Sequence, residues 1–244
     1  MIYCTNNMLE KIYKFRLKAD SNTFTLLFIL VILSLVLGIY NNYQITNGGG
    51  VVQNVGTDGT KYEPLKNLVK NVSKNADKIG NPKAKVTVVE FEDFQCPFCK
   101  RFHDETWETL KKEYIDTNKI LFIHQDLAFL GPESEIAAQA SHCASDQGKF
   151  WEFRDYLYGK QGGENSGVMS KENLKKYAKE MGLNSTEFDG CLDLGKYKDL
   201  VADTKEFAGK YGISGTPTFI INDQKISGAL PIESFRAAID SILK

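Results

Sequence analysis

Proline is scarce, six residues in 244, and the 20 glycines follow no repeat. That excludes collagen-like and Pro-rich architectures. Neither sign of charge dominates, with 30 Lys+Arg against 31 Asp+Glu. A nucleic-acid surface needs a basic excess somewhere, so this balance argues against a dominant one. Long uncharged apolar runs are also lacking, apart from one near the N-terminus. With 42% hydrophobic residues and a mean hydropathy of −0.30, the chain is neither a polytopic membrane protein nor disordered. No internal repeat is apparent. The length is enough for one large domain or two small ones.

The one apolar run is Phe24 to Tyr40, FTLLFILVILSLVLGIY, 17 residues without a charge. As a helix it spans roughly 26 Å, at the short end of what crosses a bilayer. Lys11, Lys14, Arg16 and Lys18 precede it, and no Lys or Arg follows until Lys61. The positive-inside rule then places the N-terminus in the cytoplasm and the rest outside. The expectation is a single-pass signal anchor over 24–43 in the cell membrane, after a cytoplasmic segment 1–23. A cleaved signal peptide, with small residues near Val36-Leu37-Gly38, is the competing reading. The placement sorts the five cysteines: Cys4 inside, and Cys96, Cys99, Cys143 and Cys191 outside, where disulfides persist.

Residues 44–80 read as a tether followed by a short amphipathic helix. Asn41 to Thr60 is rich in Gly and Asn. Leu65, Leu68, Val69, Val72 and Ala76 form a helical stripe over Pro64 to Ile79. Gly80-Asn81-Pro82 breaks the chain. The domain expected over 81–244 opens with VTVVEF (Val86–Phe91), an apolar run that suits a strand buried on both faces. A helix then runs to about Tyr114, and KILFIH (Lys119–His124) is a second strand. Strand–helix–strand is the unit of a parallel sheet. Only helical patterns fill the following stretch, at about 131–206, with Ser170 and Asn184 as N-caps. Strands return at Thr218–Ile221 and Lys225–Ser227, and Pro231 opens a terminal helix.

Cys96-Pro97-Phe98-Cys99 lies where the first strand hands over to the helix. A helix N-terminus offers free N–H groups and partial positive charge, which favour a thiolate. Pro97 falls at the first helical position, where a missing N–H costs nothing. Cys99, one turn on, is within reach for a disulfide that opens and closes. Three other readings exist: a structural disulfide, a zinc site on Cys96, Cys99 and His103 (which lacks an evident fourth ligand), and chance. No metal is assigned. On the redox reading the centre is the cysteine pair itself, with no other cofactor expected.

The segment VTVVEFEDFQCPFC, with Gly215-Thr216-Pro217-Thr218-Phe219 about 120 residues later, resembles the DsbA-like branch of the thioredoxin superfamily. The resemblance covers roughly residues 80–244. It implies an α/β thioredoxin fold interrupted by an inserted helical domain, with Cys96 as nucleophile and Cys99 as resolving cysteine. It makes Thr216-Pro217 a cis-proline loop that, with Pro97 and Phe98, meets the substrate. It makes Glu90, six residues before Cys96, a buried acid that moves a proton to or from Cys99. An acid inside VTVVEF should have a raised pKa, unless it points to a strand edge. Phe98 departs from the most oxidising members, which carry His there. It supplies no hydrogen bond, so the couple should be less oxidising and the Cys96 pKa higher than theirs, yet below a free thiol.

Members of the family also clamp the insertion with a disulfide around segments resembling HCASDQGKFW and FDGCL, which implies a Cys143–Cys191 bridge. Buried free thiols are the alternative. The family implies cysteine-containing exported proteins as substrates, and a membrane quinone-linked thiol oxidase that recharges the disulfide. The resulting expectation is a membrane-anchored, extracytoplasmic thiol–disulfide oxidoreductase that introduces disulfides. A reductase or isomerase on the same fold is the alternative. A non-catalytic metal- or partner-binding protein is a second.

Overall fold

The computed structural model describes residues 62–73 and 76–244. Cys4, the run at 24–43 and the Gly/Asn-rich tether lie outside the described residues. Among the described residues no helix is long and apolar enough to cross a membrane.

Five strands form one sheet in the order β1-β3-β2-β4-β5. They are β1 (Lys78–Gly80), β2 (Val86–Glu92), β3 (Ile120–Asp126), β4 (Thr218–Ile221) and β5 (Gln224–Ser227). The β2–β3 pair is parallel, and the helical crossover between them begins with α2 (Pro97–Phe102). That helix continues without a break through two π-helical stretches, His103–Trp107 and Lys111–Ile115. β4 pairs antiparallel with β2, and β5 with β4.

β2 is buried along nearly its whole length because both faces are covered. On one face Val86, Val88, Ile120, Phe122, Phe219 and Ile221 pack under the crossover helix and α8 (Ile232–Leu243). On the other, Val89, Phe91, Ile123 and Ile220 pack under α1 (Leu65–Asn71) and α7 (Lys198–Lys210). The insertion supplies α3 (Pro132–Ser145), α4 (Phe150–Lys160), α5 (Lys171–Glu180) and α6 (Ser185–Asp193). Its own core gathers Phe153, Leu157, Leu174 and Phe188 around Cys143. Ser170 and Asn184 cap α5 and α6 with their side chains, as their positions in the sequence suggested.

The segment 64–79 differs from the continuous helical stripe expected for it. Its helix stops at Asn71, and Lys78–Gly80 pairs antiparallel with β3, Ile79 opposite Phe122. Leu65, Leu68 and Val72 pack on the sheet, and Ala76 follows them with no helix beneath it. The open edge of β3 provides backbone partners that a short exposed helix lacks, so the sheet wins over periodicity. Gly80 ends the strand at φ +100°, where a Cβ would stand 2.4 Å from the Ile120 carbonyl oxygen. The edge strand therefore falls before residue 81, where the sequence suggested that the domain opens.

Candidate active site

Cys96 is the N-cap of α2, with extended backbone (φ −71°, ψ 120°) and Pro97 at the first helical position. Asp93 holds the loop that presents it. Its Oδ1 accepts from the Gln95 N–H (2.8 Å) and the Ser134 hydroxyl (2.6 Å), and its Oδ2 from the N–H groups of Phe129 and Leu130. The amide of Gln161 donates to the carbonyls of Phe94 and Cys96. The loops after β2 and β3 and the end of α4 thus clamp one another around the cysteine.

The Thr216–Pro217 peptide is cis, and the Cys96 Sγ lies 3.4 Å from the Thr216 carbonyl oxygen. Residues 214–218, with Lys225, Ser227 and Gly228, line a cavity of about 310 Å³ beside this loop. Phe98 stands out at 54% exposure, with the Arg101 guanidinium 5.2 Å from its ring centre. The structure therefore brings Cys96, Cys99, Thr216 and Pro217 together and leaves Phe98 open to solvent.

The two cysteines are unequal. Both are free thiols, with Cys96 only 5% exposed and Cys99 fully enclosed. The Cys99 S–H donating to the Cys96 sulfur does most to bring the Cys96 pKa down, to about 6. Burial opposes this, while Thr216 and the N–H groups of Cys99 and Phe98 help it. Cys99 moves the other way: burial, then the neighbouring Cys96 sulfur, then the charge of Glu92 push it well above a free thiol.

Glu90 does not point to a strand edge; it is fully buried. Its Oε2 accepts from the Arg154 Nη2 at 2.8 Å. Burial and then the charge of Glu92 raise its pKa well above the usual carboxyl range. Sequence reasoning missed its neighbours. Glu92 accepts from the Arg154 Nε (2.8 Å) and Nη2 (2.7 Å). The Arg154 guanidinium is walled by the rings of Trp107, Trp151 and Tyr158, at 4.6, 5.7 and 5.3 Å. In register across the sheet, Glu90 faces His124 and Glu92 faces Asp126. His124 lies 3.0 Å from Glu92 and 2.9 Å from Asp126; His142 lies 2.6 Å from Asp126 and 3.1 Å from Asp77. His124 and His142 look isolated in the chain, but here they are members of a buried row of charges. The signal was available in EFE and HQD, where residues two apart share one strand face.

Cys143 and Cys191 are joined by a disulfide, with Cα atoms 5.9 Å apart, between α3 and α6. His103 is occupied by Asp104 and Asp155, each 3.1 Å from a ring nitrogen. Among the described residues no group of three or more His, Cys, Asp or Glu is placed to hold a metal ion.

The thioredoxin family model matches residues 73–241. The chain is 32% identical over 182 residues to the Na(+)/H(+) antiporter NhaA 1 of Salinispora arenicola, covering 73% of this chain and 26% of that protein. It thus spans about a quarter of that relative's length. It is 30% identical over 169 residues to disulfide bond formation protein D of Bacillus subtilis, covering 68% of this chain and 76% of that one. The structure is similar to Wolbachia pipientis alpha-DsbA1, with a TM-score of 0.66 and 26% identity over 72% of this chain and 95% of that one.

Proposed function

Because the chain belongs to the thioredoxin superfamily, in its DsbA-like branch, we propose that it is an extracytoplasmic thiol–disulfide oxidoreductase that introduces disulfides into exported proteins. The observation that carries this reading is the inequality of Cys96 and Cys99. A stabilised thiolate at the helix start makes Cys96 a good leaving group, so a disulfide containing it is readily given away. The relative named for disulfide bond formation supports the same direction.

A substrate thiolate attacks the Cys96 sulfur, forming a mixed disulfide while the Cys96–Cys99 bond breaks. Cys99 leaves with the electron pair and takes a proton, for which Glu90 is the donor. A second substrate thiolate attacks the substrate sulfur of the mixed disulfide, and Cys96 leaves as thiolate. The substrate loses two electrons, which the cysteine pair gains. A membrane quinone-linked thiol oxidase then removes them. Pro97 and Phe98 offer the substrate an exposed apolar contact, and Thr216–Pro217 offers backbone for an added strand. The apolar run from Phe24 to Tyr40, with its preceding basic residues, supports a membrane anchor over 24–43 that leaves this domain outside.

The test is the reduction potential of Cys96–Cys99 in the full chain, equilibrated with glutathione and read by thiol trapping. A value well above about −200 mV is expected of a disulfide donor. A value near roughly −270 mV would overturn the oxidase direction in favour of reduction or isomerisation.

A further inference from the structure

Two carboxyl groups, Glu90 and Glu92, are enclosed two residues apart on β2 with a single guanidinium between them. An enclosed carboxylate without a counter-charge costs several kcal/mol, so the pair cannot cheaply carry two negative charges. Which one keeps a proton is decided by geometry. Glu92 takes two hydrogen bonds from Arg154, and its Oε1 is also 3.0 Å from the His124 Nδ1. Glu90 takes one, and its Oε1 has no hydrogen-bond partner. His124 is in turn tied to Asp126, Asp126 to His142, and His142 to Asp77, which Ser145 also binds. Glu92 is thus the end of a row of alternating sign.

We infer that Glu92, locked between Arg154 and His124, is a positioning residue that confines the proton of this buried pair to Glu90 and so keeps Glu90 loaded for Cys99. The inference rests on the reading of Glu90 as proton donor given above. When the Cys96–Cys99 bond opens, the proton passes from the Glu90 carboxyl to the Cys99 sulfur. The negative charge moves from sulfur to Glu90, beside Arg154. The groups around Glu90 come from three elements: Glu92 on β2, His124 on β3, and Arg154 and Tyr158 on α4. The buried Tyr158 hydroxyl has no hydrogen-bond partner and lies within electrostatic range of both glutamates and Cys99. The titration directions agree. Glu90 is raised by burial and by Glu92; Glu92 is brought down to about 2 by Arg154 and His124 against its own burial.

The experiment uses the full chain in detergent with ¹³C-carboxyl-labelled Glu, the two signals being assigned through Glu90→Gln and Glu92→Gln. At pH 7 the wild type should show Glu90 protonated and Glu92 ionised. In Glu92→Gln, Arg154 turns to Glu90, which should ionise. Stopped-flow tryptophan fluorescence then follows the opening of Cys96–Cys99 by a cysteine peptide. The rate of Glu92→Gln relative to wild type should fall about tenfold or more at pH 7 and recover as the pH is lowered. A merely structural Glu92 would lower the melting temperature without changing that pH profile. A proton found on Glu92 in the wild type, or a Glu90 still protonated in Glu92→Gln, overturns the inference. If Glu92→Gln does not fold, His124→Gln replaces it. There the proton should become shared between the two carboxyls, and an unchanged Glu90 signal overturns the inference equally. If the signals are as expected but Glu90→Gln reacts at the wild-type rate, the reading of Glu90 fails and the proton placement stands.

Discussion

Replacing Arg154 by leucine should be among the most damaging single changes in the described domain. Its guanidinium is wholly enclosed and makes three charge-assisted hydrogen bonds of 2.7–2.8 Å to Glu90 and Glu92. Such bonds are worth about 1.5–3 kcal/mol each, so a simple sum is about 5–9 kcal/mol. Leucine is relieved of burying a cation, which offsets part of that. What remains is mainly the cost of leaving Glu92 enclosed beside His124 alone, about 3–5 kcal/mol. Three rings also lose the cation they wall in. Arg154→Lys keeps the charge but loses the two-pronged grip on Glu92, and should cost about half as much. Urea unfolding at pH 7 under non-reducing conditions measures both. The expected shift is a lower midpoint at unchanged slope. A loss below about 1 kcal/mol in Arg154→Leu would refute the view that Glu92 depends on this cation.

Three further outcomes are expected. Thiolate absorbance should titrate Cys96 near pH 6, leaving it about nine-tenths ionised at pH 7, and Cys99→Ala should move the midpoint up; a wild-type midpoint above about 8 contradicts the assigned hydrogen bond. Asp126 raises His124 to about 10 and His142 to about 9, in both cases against burial. A histidine with a raised folded pKa stabilises fully below its unfolded value near 6.5, and that stability is lost as the pH rises through the folded pKa. The urea midpoint should therefore fall between pH 7 and 10, and less steeply in His142→Gln. Replacing Cys143 and Cys191 together by serine opens a link between residues 48 apart. It should cost about 2–4 kcal/mol in thermal unfolding while leaving the Cys96 titration where it was.

Much of the fold was legible because its signals are local. VTVVEF has the continuous apolar character of a strand covered on both sides, and β2 is that strand. Ser170 and Asn184 are cap residues at the start of apolar-striped segments, and both cap helices. Cys96-Pro97 reads as a helix start from the chemistry of proline alone, and the helix begins there. The segment 64–79 failed for an equally physical reason. Its helical stripe is real, but an open strand edge elsewhere in the fold captured its last two residues, Lys78 and Ile79, together with Gly80.

The sequence by itself determined the class of fold, the cysteine pair at a helix start and the loop that meets it, since each is written in residues close together in the chain or in a spacing that resembles the family. Only the tertiary structure decided how the buried charges meet. Arg154 reaches Glu90 and Glu92 from 64 and 62 positions away, and His142 reaches Asp77 across the edge of the sheet. No periodicity encodes such meetings. They follow from the parallel register that sets Glu90 beside His124 and Glu92 beside Asp126, and from α3 and α4 closing over that face. Enclosed charges must find partners at short range, so the fold, having buried them, settles which carboxyl keeps its proton.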